Sequence, residues 1–453
     1  QKRLLNAPDE SLPGDAAVRV SRLMALVWQQ RPDIQQAFPL DDPTRRAALV
    51  DWFFTHGIAE MRLAGLVETP AAPGTRGAPP SRSAAGTRTP LHRPPAQAPA
   101  IRKGGALPFG VNLIGSARGQ FGIGEDVRMA ALAMRAANIP FVIHNVEPGR
   151  EVCQGDDSVE AFISDGLPYT VNVLCTTGFE TARLAAAEGT RLFDGRCTIG
   201  YWPWELPEWP EDWRHAYNLV DEVWASSRYT YEAYARSSPK PVRHVPMAVS
   251  VDPTTGLRRR DFGLSEDRFL FVFSFDILSS LSRKNPHAVV RSFKRAFRSG
   301  NEAVGLVLKV MRAAPGNPVW QALLEEAGSD RRISVINATL SRGAVLDLYR
   351  ACDVFVSLHR AEGFGRGIAE AMMLGKPVVV TGFSGNMDFT TPGTAALTNH
   401  RMRPVGPDEY AFASGQSWAE PEEDHAAWWM RRLFEDAGLR QRLAQQGRLL
   451  ATA

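Results

Sequence analysis

The chain has 453 residues, 44% hydrophobic and 22% charged, with a net charge of +3. That length exceeds one ordinary hydrophobic core, so two or more domains are expected. The composition is that of a globular protein, and the charge is too small to argue for a nucleic-acid partner. The four cysteines, Cys153, Cys175, Cys197 and Cys352, show neither a CxxC nor a metal-ligand spacing. Three of them sit in or beside apolar runs, as reduced core thiols of a cytosolic protein do. No apolar run approaches the ~20 residues of a membrane span. The chain begins at Gln1 without methionine, so a missing leader is given no weight.

Residues 1–69 form the first segment, with helical periodicity over 15–67: Val20, Leu23, Met24 and Val27 on one stretch, Ala48, Val50, Phe53 and Phe54 on another. Pro32, Pro39 and Pro43 interrupt it, which predicts about three short helices. His56 and Glu60, four apart, suit an exposed helical pair better than a ligand set. Residues 70–103 are rich in Pro, Ala, Gly, Ser, Thr and Arg and contain no acidic residue. Such a segment buries too little apolar surface to order itself and is expected to be a linker.

Over 104–246 the pattern becomes alternating strand and helix. An apolar run from Phe109 to Ile114 leads into a glycine loop, Gly119-Gln120-Phe121-Gly122-Ile123-Gly124, and then a helix from Glu125 to Ala137. The loop could offer backbone N–H groups and a helix dipole to an anion. It departs from GxGxxG, and no acidic residue at the end of the next strand stands in for the ribose binder. Strands are expected at 141–144, 171–175, 197–201, 223–225 and 242–245, which makes one doubly wound domain. After the fourth of these runs comes Trp202-Pro203-Trp204-Glu205-Leu206-Pro207-Glu208-Trp209-Pro210-Glu211-Asp212-Trp213. Aromatic faces make platforms for sugar rings. Trp202 and Trp204, nearest the strand end, fit that use best, whereas Trp209 and Trp213 serve equally well as packing for an irregular loop.

Over 247–423 the alternation restarts, with strands expected at 269–275, 304–310, 333–336, 354–358 and 378–381 and helices near 286–298, 318–327 and 343–351. Residues 424–453 are helical, with Trp428, Trp429, Leu433 and Leu443 as the apolar set, and are expected to pack back toward the first α/β domain. Two tandem domains of this kind make a cleft, a common place for a ligand.

The most informative stretch is 353–388, DVFVSLHRAEGFGRGIAEAMMLGKPVVVTGFSGNMD. A buried strand, Val354 to Leu358, runs into the glycine turn Glu362-Gly363-Phe364-Gly365, then a helix carrying Glu370 and stopped by Gly375 and Pro377, then another strand. Turns at the carboxyl ends of parallel strands are where ligands bind. Two carboxylates bracket this one.

Glu362-Gly363-Phe364-Gly365, with Glu370 eight residues after Glu362 and with Gly375-Lys376-Pro377-Val378-Val379 and Gly385-Asn386-Met387-Asp388 in register, resembles the signature of glycosyltransferase family four. The resemblance covers about 105–450 and includes the loop at 119–124, Arg283-Lys284-Asn285-Pro286 and Asn337 to Leu340. It implies a GT-B fold, two Rossmann-like domains facing a cleft, here with an extra N-terminal helical segment. It further implies a retaining, metal-independent hexosyl transfer from a nucleotide sugar, UDP- or GDP-linked, to an acceptor hydroxyl. No separate cofactor is implied.

By the same resemblance Glu370 would bind the ribose, and Glu362 with the amides of Phe364 and Gly365 the donor sugar. Lys284, helped by Arg283, would stabilise the leaving diphosphate. Backbone at Asn337 to Thr339 would meet the base, and Gly122 and Gly124 the donor or its phosphates. Two departures stand out. Phe275-Asp276 replaces the family's glycine–arginine pair, which leaves its role to Arg283. The family's histidine after the fourth strand is replaced by Trp202-Pro203-Trp204-Glu205, so Glu205 is the candidate polar group there. His144 is the weaker alternative, since a histidine at a strand end is more often structural.

A glycan or lipid-linked acceptor in bacterial surface polysaccharide synthesis is expected by analogy. That places the reaction in the cytoplasm or at the inner face of the membrane, with peripheral membrane association allowed and the partner of the N-terminal segment unassigned. Three rivals stand beside this reading. A glycosidase would use Glu362 and Glu370 as acid and nucleophile. An epimerase of the same fold would need no acceptor, and a silent sugar-binding or scaffold subunit would tolerate Asp276.

Overall fold

The computed structural model describes residues 6–8, 20–61, 63, 67 and 107–452, apart from Pro253 and Pro315. The expected linker at 70–103 lies outside the described residues. The chain divides into two compact units, one of residues 1–109, 168–170 and 183–195, the other of 110–167, 171–182 and 196–453.

The first unit contains helices α1 (Arg22–Gln30), α2 (Pro32–Ala37) and α3 (Pro43–Trp52). Ser21 caps α1, its hydroxyl accepting the Met24 N–H, and Asp42 caps α3 by accepting from Thr44 and Arg45. Pro32 and Pro43 each open a helix, where a missing N–H costs nothing. Leu23, Met24, Val27, Ile34, Leu49 and Phe53 make one small core.

The second unit holds two six-stranded sheets. The first runs β1 (Val111–Gly115), α4 (Gly122–Ala136), β2 (Phe141–Asn145), β3 (Val171–Leu174), α5 (Gly178–Glu188, which from Arg183 onward is counted with the first unit), β4 (Cys197–Tyr201), β5 (Glu222–Ala225), α6 (Arg228–Ala235) and β6 (Val242–His244). The second begins with β7 (Phe269–Asp276), α7 (Leu281–Lys284), α8 (Pro286–Ala296), β8 (Val304–Met311), α9 (Pro318–Gly328) and β9 (Ile333–Asn337). It continues with α10 (Arg342–Ala351), β10 (Val354–Ser357), α11 (Arg366–Met373), β11 (Val378–Thr381) and β12 (Ala396–Thr398). A hairpin, β13 (His400–Pro404) with β14 (Ser417–Pro421), and helices α12 (Glu423–Glu435) and α13 (Ala437–Ala451) complete the chain.

Strand orders are β2-β1-β3-β4-β5-β6 and β12-β11-β10-β7-β8-β9, with every neighbouring pair parallel. Parallel strands covered on both faces read as continuous apolar runs, which is why the sequence revealed them. In β7, Phe271, Phe273 and Phe275 face one core, while Leu270 and Val272 face the other. Strand order reverses between β7 and β10, so the loops leaving those two strands open onto a crevice.

One expectation is corrected here. The C-terminal segment does not turn back to the first sheet. It is two helices, broken at Asp436, whose side chain caps α13. Met430, Leu433 and Leu443 join the core of Phe271, Val289 and Phe293, because α8 offers a complementary apolar face. Among the described residues no helix is long and apolar enough to cross a membrane.

Candidate active site

The crevice between β7 and β10 gathers the cations of one loop and the carboxylate of the other. After β7, α7 is one turn of helix held between two left-handed residues, Ser280 (φ 65°) and Asn285 (φ 53°). Ser280 Oγ accepts the Arg283 N–H, and Asn285 donates to Leu358 O at 3.1 Å. Strain of this kind persists only where surrounding bonds over-determine it. It fixes Arg283 and Lys284 side by side. Lys284 Nζ lies 2.5 Å from Glu362 Oε1, and Arg283 Nη1 lies 3.3 Å from Glu362 Oε2 while donating to Ala361 O. Burial alone would raise the Glu362 carboxyl, but the charges of Lys284 and Arg283 outweigh it and hold the group down at about 2.

The glycine turn is clamped from behind and from the facing domain. Glu362 N–H donates to Ser384 Oγ at 2.9 Å, and Gly385 N–H donates to Glu362 O at 2.9 Å. The hydroxyls of Ser227 and Thr230, at the start of α6, both donate to Gly363 O. A Cβ on Gly363 would stand 2.6 Å from Trp204 O, so glycine is what lets the two domains touch here. Gly365, at φ 92°, caps α11, and Phe364 packs on Phe389.

Glu370 is only 2% exposed on α11, and Arg342 from α10 donates to its Oε1 at 2.7 Å. The same guanidinium faces Glu125 of α4, and Arg366 pairs with Asp126 one residue on. Arg128 donates to Ala117 O and Gly119 O, tying the glycine loop to its helix. Gly124 is packed tightly, since a Cβ there would meet Gly119 O at 2.2 Å, whereas Gly122 is exposed with open space beside it.

Other expected residues fall differently. Asn337 donates to Ala313 O, and Thr339 is exposed beyond β9. His144 lies on β2, the edge strand, separated from β4 by β1 and β3. Asp276 is paired with Arg312, an arginine that reaches the end of β7 from the end of β8. Glu205 faces Arg283 Nη2 at 3.7 Å.

The tryptophan platform is a correction. Trp202 and Trp204 are 1% and 8% exposed and present no face to a sugar. Trp202 stacks on Trp209 at 5.5 Å and donates to Thr181, and Trp204 meets Trp209 edge-on at 5.2 Å and donates to Glu208 O. Trp213 also packs on Trp209. The prolines keep this segment irregular, so its rings can close over one another and over Tyr234, and four indoles become a core.

Several residues escape sequence reading. Arg342 and Tyr410 lie in unremarkable polar surroundings in the chain, whereas Arg366 directly follows the glycine turn, and only the fold shows which partners each one reaches. His359 is fully buried beneath the turn, bonded to Ser357 Oγ at 3.0 Å and to Asn386 Oδ1 at 2.9 Å. Burial pushes its ring below the ordinary range. The SLHR and SGN runs were the available signal. Among the described residues no three His, Cys, Asp or Glu side chains are grouped to hold a metal.

Two parallel sheets with helices on their faces and a charged crevice at the switch point define the GT-B architecture of two Rossmann-like domains. Residues 261–450 match the family model described as Glycosyl transferases group 1. The chain is a glycosyltransferase, as its motifs led one to expect. No curated protein matches it in sequence.

Among solved structures it is similar to HepE from Anabaena in complex with UDP and glucose, at 16% identity over 76% of this chain and 95% of that one, TM-score 0.52. It is also similar to sucrose-phosphate synthase from Thermosynechococcus elongatus, at 15% over 76% and 94%, TM-score 0.55. WaaG, a glycosyltransferase involved in lipopolysaccharide biosynthesis, matches at 14% over 76% and 95%, TM-score 0.50. At these identities the likeness carries the fold.

Proposed function

We propose that the protein transfers a hexosyl group, with retention, from a UDP- or GDP-sugar to the hydroxyl of a glycan or lipid-linked acceptor in surface polysaccharide synthesis. The observation that carries this reading is the meeting of Lys284, Arg283 and Glu362 at the switch point, beside the buried carboxylate of Glu370. Lys284 and Arg283 meet the charge that develops as the diphosphate departs. Glu362 and the turn amides hold the sugar hydroxyls, and Glu370 takes the ribose in exchange for part of its bond to Arg342. Gly122, at the open start of α4, faces the donor from the other domain. The acceptor oxygen attacks from the face the diphosphate leaves, in a site that contact between the domains keeps dry.

Support for a UDP donor comes from the HepE complexes with UDP, glucose and UDP-glucose. The involvement of WaaG in lipopolysaccharide biosynthesis supports the acceptor class, and such an acceptor would be met in the cytoplasm or at the inner membrane face. The test is a binding and turnover screen of the full chain against UDP-, GDP-, dTDP- and ADP-sugars, with product stereochemistry by NMR. Saturable binding of one of them and an axial-to-axial or equatorial-to-equatorial product are expected. Absence of all nucleotide-sugar binding would sink the reading, and an inverted product would remove retention alone.

A further inference from the structure

The loop joining β13 to β14, residues 405–416, contributes nothing to the motifs of 353–388, yet its tip crosses to the tryptophan segment of the other domain. Phe412 packs edge-on against Trp213 at 5.0 Å, and Gln416 Oε1 accepts the Glu208 N–H at 2.9 Å. Between these anchors the Tyr410 ring sits at 6.2 Å from both Trp204 and Trp418, and its hydroxyl donates to Glu205 Oε2. The other oxygen of Glu205 lies 3.7 Å from Arg283 Nη2, and the Arg283 guanidinium lies over the Tyr410 ring at 5.9 Å from its centre.

Tyr410 therefore touches both groups that frame the crevice opposite Glu362. Arg283 is 5% exposed, and a buried guanidinium with five donors needs every one of them directed. Its Nη1 is used by Ala361 and Glu362, while its Nε has no hydrogen-bond partner among the described residues. At 3.7 Å Glu205 attracts the guanidinium by charge without hydrogen-bonding it. A carboxylate free to rotate would close that gap and capture the donors. The Tyr410 hydroxyl prevents this by holding the carboxylate back.

We propose that Tyr410 is a positioning residue: by fixing Glu205 it keeps the Arg283 donors turned toward the leaving diphosphate. The proposal rests on the reading of Arg283 as a leaving-group cation. Tyr410→Phe keeps the ring and its contacts and removes only the hydroxyl.

The test is steady-state kinetics of the full chain on the donor that the wild type turns over, for Tyr410→Phe, Glu205→Gln and the double variant. Tyr410→Phe is expected to lose about 10-fold in kcat, with KM for the donor changed by less than about twofold, because base and ribose contacts lie elsewhere. The double variant is expected to be no slower than the slower single one, as residues acting through one contact are not additive. Wild-type kcat in Tyr410→Phe, a loss confined to KM, or a double variant whose losses multiply would each overturn it. Should Tyr410→Phe lower Tm, a double variant in which Glu205→Gln restores none of the lost kcat would overturn it equally, because an uncharged amide has no hold on the Arg283 donors. A wild type that binds no nucleotide sugar would instead remove the reading beneath it.

Discussion

Arg342 Nη2 lies 2.7 Å from Glu370 Oε1 while its Nε lies 2.9 Å from Glu125 Oε1, so one guanidinium joins the proposed ribose carboxylate to the helix after the glycine loop. Burial works against the Arg342 charge, but Glu370 and Glu125 more than restore it. The pair has two different consequences for substitution.

Replacing Glu370 by alanine leaves Arg342 its ion pair with Glu125. The fold is expected to hold, with UDP or GDP affinity down about 10- to 100-fold by calorimetry, the loss of hydrogen bonds to a charged group. Replacing Arg342 by methionine instead leaves the buried Glu370 carboxylate without its cation, while Glu125 keeps Arg128. Urea unfolding should then show a loss of about 3 kcal/mol.

The Glu362 carboxyl, held at about 2 against 4.5 for a free group, sets a pH dependence. A depressed carboxyl stabilises the fold fully above its unfolded value and loses that contribution as pH falls through the folded one. The stability gap between wild type and Glu362→Gln should be flat above about pH 5 and close, by an amount on the order of 3 kcal/mol, between pH 5 and 2. Urea titrations at stepped pH read it directly. A gap that widened on acidification would reverse the assigned ion pair.

Gly385 and Gly122 make a matched pair. A Cβ on Gly385 would lie 2.1 Å from Gly363 O, backbone against backbone, and nothing lies within 4 Å of one on Gly122. Gly385→Ala is expected to cost more than about 3 kcal/mol, and Gly122→Ala less than about 0.5 kcal/mol, by Tm or urea midpoint. Weaker donor binding in the stable Gly122→Ala variant would locate the donor at the start of α4.

Trp202→Ala is expected to cost about 3–5 kcal/mol in stability, since the indole is buried in a stack. A variant that kept its Tm and lost only acceptor turnover would return Trp202 to the role of a sugar platform.

The strands and the fold were legible because fully covered parallel strands write themselves as short apolar runs, and the turn after β10 because only glycine fits at Gly363, Gly365 and Gly385. The tryptophan segment misled for a physical reason. Aromatic residues after a strand end suit a sugar platform and a packed loop alike, and side-chain closure decides between them. Arg342 and Tyr410 were invisible because each acts on a residue of another element, and nothing local marks an arginine or tyrosine that will be buried by a long-range partner. The Asp276 substitution looked like a lost cation, and the fold brings Arg312 to it from the adjacent strand, a pairing that only sheet register creates.

The account turns on Lys284 meeting the charge of the leaving diphosphate. Single-turnover donor cleavage at saturating nucleotide sugar, wild type against Lys284→Ala, tests it most directly. A rate lower by about 10²–10³ with donor still bound is predicted, as for removal of one transition-state donor. An unchanged rate would contradict it.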